Sequence, residues 1–285
     1  MPIPEKPEQY MLYHYTSVEG LLGILDNCTI WVTKSDFLND YSELVYLRQV
    51  YANLLLRLKS EKDEMFRCKQ FYAILAGIME TIDNPGWLQE QDLFVLSLTH
   101  HADSYTLWSN FSGHHGYNIQ FDYSSLLEVW REEGFTPLCM GRIVYDKQEQ
   151  RNILYQDLNE VYHTWEQADK GCSHLKTAEI VREAILDRCK MYSIFFFKDE
   201  CFTEENEYRI VFTAERDTVR FRLRNGAIIP YIEIPAGSRE SNAIFDITIG
   251  PKLNIDIAEK GMVYYLKTKG YSEAKVKRSR IPLRY

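Results

Sequence analysis

An α+β fold is predicted, on three observations. Short runs rich in aromatic and β-branched residues, bounded by turn formers, recur at 11–16, 29–33, 93–99, 116–122 and 207–212. Two long stretches, 43–82 and 148–198, carry helical patterning instead. Asn225-Gly226 sits between two strand-like runs, the strongest short hairpin signal in the chain. The 285 residues are 45% hydrophobic and 14% aromatic, with 20 tyrosines and 14 phenylalanines, a composition that fills a core and favours sheets and aromatic-lined clefts. No repeat, low-complexity linker or composition break interrupts them, so a single domain over 1–285 is expected.

In chain order, MLYHYT (Met11 to Thr16) reads as a strand, and Ser17 as the N-cap of a helix from Val18 to Leu25. TIWVT (Thr29 to Thr33) is a second strand. KSDFLNDYSE is turn-rich, and Asn39-Asp40 can fix it through local side-chain-to-backbone bonds. Amphipathic helices fill Glu43 to about Ile82 and stop at Asn84-Pro85-Gly86. LFVLSLT (Leu93 to Thr99) is a buried strand with Ser97 and Thr99 on one face. A helix over Ser104 to Phe111, strands at Gly116 to Asp122 and Arg142 to Tyr145, and a helical stretch broken near Gly171 follow. Strands at 218–224, 227–234 and 244–249, a helix over about 256–268 and a strand at 274–281 complete the layout.

Net charge is 33 − 41 = −8, so the surface as a whole does not attract nucleic acid. The end of the chain differs: Lys267, Lys269, Lys275, Lys277, Arg278, Arg280 and Arg284 stand against Glu273 alone. These cations suit either phosphate contacts or the guarding of a last, edge strand. The opening MPIPEKPEQY lacks the layout of a secretory signal and no window is apolar enough to span a membrane, so a cytoplasmic protein with no membrane partner is expected. The six cysteines form no CxxC pair and are expected as free thiols.

The candidate chemistry centres on TEENEYRIVF, Thr203 to Phe212. Here acids sit on the lip of a buried strand, a rigid place to hold a catalytic carboxylate. If the strand begins early enough, Glu205, Glu207 and Arg209 share a face, and Arg209 keeps Glu207 ionised. The plainer reading is an acidic turn whose Glu207 pairs with Arg209 or faces solvent. Tyr13, His14, Tyr15 and Thr16 on one strand and Ser97 and Thr99 on another join this set, with Trp108 and Tyr117 as aromatic candidates. His100-His101, His114-His115, Cys172 and His174 lack the spacing of a zinc site, and no metal is expected. GxGxxG, P-loop and GxSxG motifs are absent.

The blocks LYHYTS, WVTKSDFLNDYSE, SLTHHADSYTLWSNFSGHHGYNIQFD, ENEYRIVF and RSRIPLRY resemble a widespread bacterial family of unknown function. Tyr41-Ser42 stands where that family favours Pro-Phe ahead of Glu43, and Phe111 where it has Tyr. The order of blocks is in turn similar to the ADP-ribosyltransferase fold, a split β-sheet core that clamps NAD, here with a helical insertion. That resemblance implies His14, with Tyr15 and Thr16 beside it, at the adenosine-side ribose and diphosphate. It implies Ser97 and Thr99 as the supporting motif, Glu207 as the catalytic acid and Glu205 as its upstream partner. It also places the Asn39-Asp40 loop over the nucleotide, with Trp108 and Arg209 in the binding set. NAD as substrate, a DNA, RNA or protein acceptor, a toxin or phage-defence role and an antitoxin or regulatory partner follow from the resemblance alone.

The chemistry is consistent with a carboxylate and no metal. Breaking the nicotinamide–ribose bond passes through an oxocarbenium-like sugar, as glycoside hydrolysis does, and a fixed carboxylate stabilises that charge. Two other readings stay open. One is a metal-dependent hydrolase or nuclease on Asp40, Glu43, Glu205 and Glu207. The other is a non-catalytic module that binds a nucleotide or a partner protein.

Overall fold

A computed structural model describes residues 11–38, 42–82, 92–112, 115–168, 174–189, 195–224, 226–237, 239, 241, 243–252, 254–271 and 273–282. The chain divides into two compact units: Met1–Ile3, Leu38–Gln91 and Ile143–Thr203 form one, and Pro4–Phe37, Asp92–Arg142 and Glu204–Tyr285 the other. This is a finer division than the single domain read from even composition. Neither unit is one continuous segment, so no single break in the sequence marks the boundary.

Strands β1 (Met11–Thr16), β2 (Thr29–Lys34), β3 (Leu93–Thr99), β4 (Tyr117–Asp122), β5 (Cys139–Arg142), β6 (Glu207–Thr213), β7 (Arg220–Arg224), β8 (Ala227–Pro235), β9 (Ile244–Ile249) and β10 (Lys275–Arg278) form one sheet in the second unit. Its order is β10-β9-β4-β1-β3-β2-β8-β7, with β6 and then β5 branching from β3. β6 pairs along the whole of β3, from Leu93↔Thr213 to Thr99↔Glu207. The other edge of β3 is therefore shared. β1 holds its end through Tyr13↔Thr99, and β2 holds its start through Thr33↔Val95 and Lys34↔Phe94. The sheet forks there, between β1 and β2.

Helix α1 (Val18–Asn27) links the two arms of the fork, capped by Ser17, whose hydroxyl accepts from the Gly20 amide. Gly20 has no room for a Cβ, because Thr16 Oγ1 occupies that place. The apolar pleat of the sheet carries Leu12, Phe94, Leu98, Ile119, Tyr208, Ile210, Ile234 and Ile247 in one core. Leu21 and Leu25 of α1, Leu126 and Trp130 of α6 (Tyr123–Glu132), and Met262 and Leu266 of α9 (Ile255–Lys269) pack in the same core. The β7–β8 hairpin closes with Arg224 facing Ala227 and Gly226 at φ +80, while Asn225 lies outside the described residues. The basic end of the chain is an edge strand, β10, whose Lys277 binds the buried Asp246 and whose Arg278 binds Asp256 and Glu259.

The other unit is helical: α2 (Ser42–Ser60), α3 (Glu64–Arg67), α4 (Lys69–Ile82), α7 (Lys147–Ala168) and α8 (His174–Cys189). Its core is built from Leu47, Tyr51, Leu54, Phe71, Leu75, Ile78, Leu158, Trp165, Ile185 and Phe197. Gln150, fully buried, accepts from Tyr46 Oη (2.7 Å) and donates to the carbonyls of Val144 (2.6 Å) and Lys198 (2.9 Å).

Two elements depart from expectation. The strand expected at Arg142 to Tyr145 lies earlier, at Cys139–Arg142 against β6. Ile143 and Val144 are core residues of an irregular segment, with Val144 making one parallel bridge to Phe197. Helix α6, not expected, starts because Asp122 ends β4 and then accepts from the Ser125 amide at 2.8 Å.

Candidate functional site

The strand opened by TEENEYRIVF begins at Glu207, not earlier. Glu200–Glu205 is a turn of 3-10 helix, and Asn206, with φ 40, reverses the backbone between turn and strand. Asn is among the few residues that tolerate this region. The Asn206 carbonyl accepts from the His100 amide (3.1 Å), and the Glu205 carbonyl accepts from Thr99 Oγ1 (2.6 Å). These bonds stitch the end of β3 to the start of β6. The expectation that Glu205 and Glu207 share a strand face is therefore corrected: Glu205 is buried in the turn.

Glu207 and Arg209, two apart on β6, do share a face. Arg209 Nε donates to Glu207 Oε1 (2.7 Å) and Arg209 Nη2 to Oε2 (3.1 Å), a two-pronged pair. Glu207 is 6% exposed and Arg209 2%, so the solvent-facing reading of this carboxylate does not hold. Register places Thr99 opposite Glu207, Ser97 opposite Arg209, and Gly141 on the far side of Arg209. Side chains directly opposite across strands share a pleat. Ser97, Thr99, Glu207 and Arg209 are thus brought together.

The row continues beyond the expected set. Glu207, Thr99, Tyr13, Gln120 and Asp246 lie side by side across β6, β3, β1, β4 and β9. Gln120 and Asp246 are buried, and Asp246 is ion-paired with Lys277. Burial pushes the Tyr13 phenol up, Lys277 pulls it down and Asp246 raises it again, so these three groups sense one another. Gln120 and Asp246 were not anticipated as site residues. Their signal is an Asn or Gln at every second position of YNIQFD and an Asp inside IFDITI, which marks a strand face that is polar yet internal.

His14 lies on the other pleat. It alternates with Tyr13 and Tyr15 and is paired with Ile119 of the apolar core. Its Nδ1 faces the Ser97 carbonyl at 3.5 Å, across the fork between β1 and β2, so the ring meets the backbone of Ser97 and not its hydroxyl. Burial first, opposed by that carbonyl, and then the charge of Arg222 push the imidazole down to about 4. It is neutral at pH 7. Thr16 shares its pleat and packs over Gly20.

Tyr15 and Trp108 hold each other, ring centroids 4.6 Å apart and nearly perpendicular. The Tyr15 hydroxyl donates to the His101 carbonyl (3.0 Å) and accepts from the Ser104 amide (3.0 Å). Trp108 Nε1 donates to Asp103 at 2.7 Å. Tyr117 lies under the ammonium of Lys252, 4.2 Å from its ring centre. Asn39 and Asp40 lie outside the described residues. Among the described residues no group of three or more His, Cys, Asp or Glu is placed to hold a metal, and Cys28, Cys68, Cys139 and Cys201 are free thiols. No helix among them is long and apolar enough to cross a membrane.

Residues 107–210 match the profile of a family described as "Protein of unknown function (DUF2971)". The matched span runs from α5 (Tyr105–Phe111) into β6 and contains Trp108, Glu205, Glu207 and Arg209. His14, Ser97 and Thr99 lie before it. No curated protein and no solved structure matches the chain.

Proposed function

We propose that this chain is an enzyme of ADP-ribosyltransferase type, which consumes NAD and passes ADP-ribose to a nucleic acid or protein, with Glu207 as its catalytic carboxylate. The observation that carries the reading is a buried carboxylate at the first residue of an internal strand, gripped through both oxygens by Arg209. A carboxylate held so firmly does not have to reorganise when positive charge grows on the ribose, which is what makes such a group effective. Thr99 and Ser97 flank it on the same pleat.

The forked sheet supports the same reading, since it separates two arms beside that pleat. At the fork, His14 Nδ1 faces a carbonyl, which only accepts, so Nδ1 carries the proton and Nε2 is left as an acceptor for a ribose hydroxyl. Glu205 acts here through its carbonyl, holding Thr99 in place. Leaving nicotinamide is neutral, so the step asks for no metal.

The purified protein is incubated with NAD and with DNA, RNA or lysate, and free nicotinamide is followed by chromatography. Wild type is expected to release nicotinamide with one of the acceptors, and Glu207→Gln to lower the rate by about 10² to 10³ or more. Equal release from both proteins overturns the assignment.

A further inference from the structure

On the polar pleat of the second arm, β7 places Arg220, Arg222 and Arg224 at every second position, beside Trp31 and Tyr231. These three arginines differ in their neighbours. Arg220 is neutralised by Glu233 at 2.9 Å. Arg222 reaches across β8 to donate to Thr33 Oγ1 (2.8 Å), and its guanidinium lies 5.4 Å from the Trp31 ring and 5.6 Å from the Tyr231 ring. It has no carboxylate partner among the described residues, and its buried Nε has no hydrogen-bond acceptor. Arg224, exposed at the hairpin end, repels it. Among the described residues neither guanidinium has a counter-charge, and their mutual repulsion is a cost that an anion would return.

The aromatic part narrows the anion. Trp31 is 43% exposed on a strand, backed at 4.5 Å by Tyr231, so a rigid ring faces outward next to the arginine. Trp31 lies on β2 opposite Glu233, whose charge Arg220 takes, and the Arg222 guanidinium reaches its ring from β7. An exposed ring beside guanidiniums is how unpaired nucleotides are held, with bases stacked and phosphates on the arginines. An acidic peptide would use Arg222 and Arg224 but leave Trp31 idle. On a chain of net charge −8 the β7 hairpin is locally basic, and of the cations on the edge strand β10, Lys277 and Arg278 are engaged by Asp246, Asp256 and Glu259.

We infer that the Trp31, Arg222 and Arg224 face of the β2–β8–β7 arm binds single-stranded nucleic acid, with a base on Trp31 and phosphates on the two arginines. The inference does not depend on NAD chemistry. Where the proposed activity holds, this face selects its acceptor.

The test uses the full chain without NAD, so its outcome is separate from nicotinamide release. Anisotropy of a fluorescein-labelled 15-nucleotide oligothymidylate is followed at low salt, with polyglutamate and ADP as competitors. Binding is expected, with log K falling against log salt at a slope of about −1.4 for two phosphate contacts, and of about −0.7 in Arg224→Gln. Trp31→Ala should weaken binding about tenfold to a hundredfold, while Trp31→Phe, which keeps a π-face, stays close to wild type. Circular dichroism confirms that each variant is folded. Absence of salt-dependent binding overturns the inference. So does displacement by polyglutamate at equal charge, which marks an acidic-peptide surface, displacement by ADP, which marks a mononucleotide site, or a Trp31→Ala variant that binds as wild type does.

Discussion

The two pleats of the sheet are built from the same strands, residue by alternate residue, and they obey different rules. On one, Leu12, Leu98, Ile119, Tyr208 and Ile247 meet the apolar side chains of α1, α6 and α9. Each such side chain stabilises the fold by about 1.5–3 kcal/mol through burial. On the other, Glu207, Arg209 and Asp246 are buried at 6, 2 and 1% exposure. Taking each charge out of water costs several kcal/mol, and pairing at best offsets this. Replacing a buried ion pair by hydrocarbon of similar volume is often neutral or stabilising. Gln150 in the helical unit shows what a structural buried polar group looks like, with all of its bonds running to Tyr46, Val144 and Lys198 of its own unit. The polar pleat carries buried charge at a cost that burial of hydrocarbon avoids, and for that reason the proposed chemistry is assigned to it.

The contrast can be broken at either pleat. Phe94→Ala, on the apolar side and fully buried, should destabilise the sheet unit by about 3–5 kcal/mol in chemical denaturation. Arg209→Ala should cost as much by a different route, since it removes the two-pronged cation from the buried Glu207 carboxylate: about 3–5 kcal/mol. A loss under about 1 kcal/mol in the second case would mean that water reaches Glu207 freely.

His14 gives a pH test of the boundary between the pleats. The folded state holds its imidazole neutral down to about 4, whereas the unfolded chain binds a proton below about 6.5. Between those values the unfolded state carries more protons, so stability falls as pH is lowered from about 6.5 to about 4. His14→Gln should flatten that limb of the stability–pH curve, and an unchanged curve would show that the ring is open to solvent. The smallest effect is expected where neither pleat is touched: Ser17→Ala, which removes the cap of α1 and leaves the Gly20 amide without its acceptor, about 1 kcal/mol by thermal denaturation.

Much of this was legible in the residues. Alternation in LFVLSLT and EYRIVFT, the Ser17 cap and the Asn225-Gly226 turn fixed the strands and the hairpin, because each is a local signal. Alternation also separates His14 from Tyr13 and Tyr15, yet grouping all three in one site ignores it. The run from Glu207 marked the start of β6, but the break that keeps Glu205 off that strand was not legible, since it lies in one left-handed residue, Asn206, whose carbonyl accepts from the His100 amide just past β3. Nor was the long row from Glu207 to Asp246, which is created by register across five strands. Arg142 to Tyr145 misled because an apolar run looks the same whether it lies in a ladder or fills a core irregularly.

The double variant Glu207→Met with Arg209→Met separates the two roles of the pair in one protein. It should denature within about 1 kcal/mol of wild type or be more stable, because the buried charges leave together, and it should release no nicotinamide from NAD. Release at the wild-type rate from this folded variant would contradict the account.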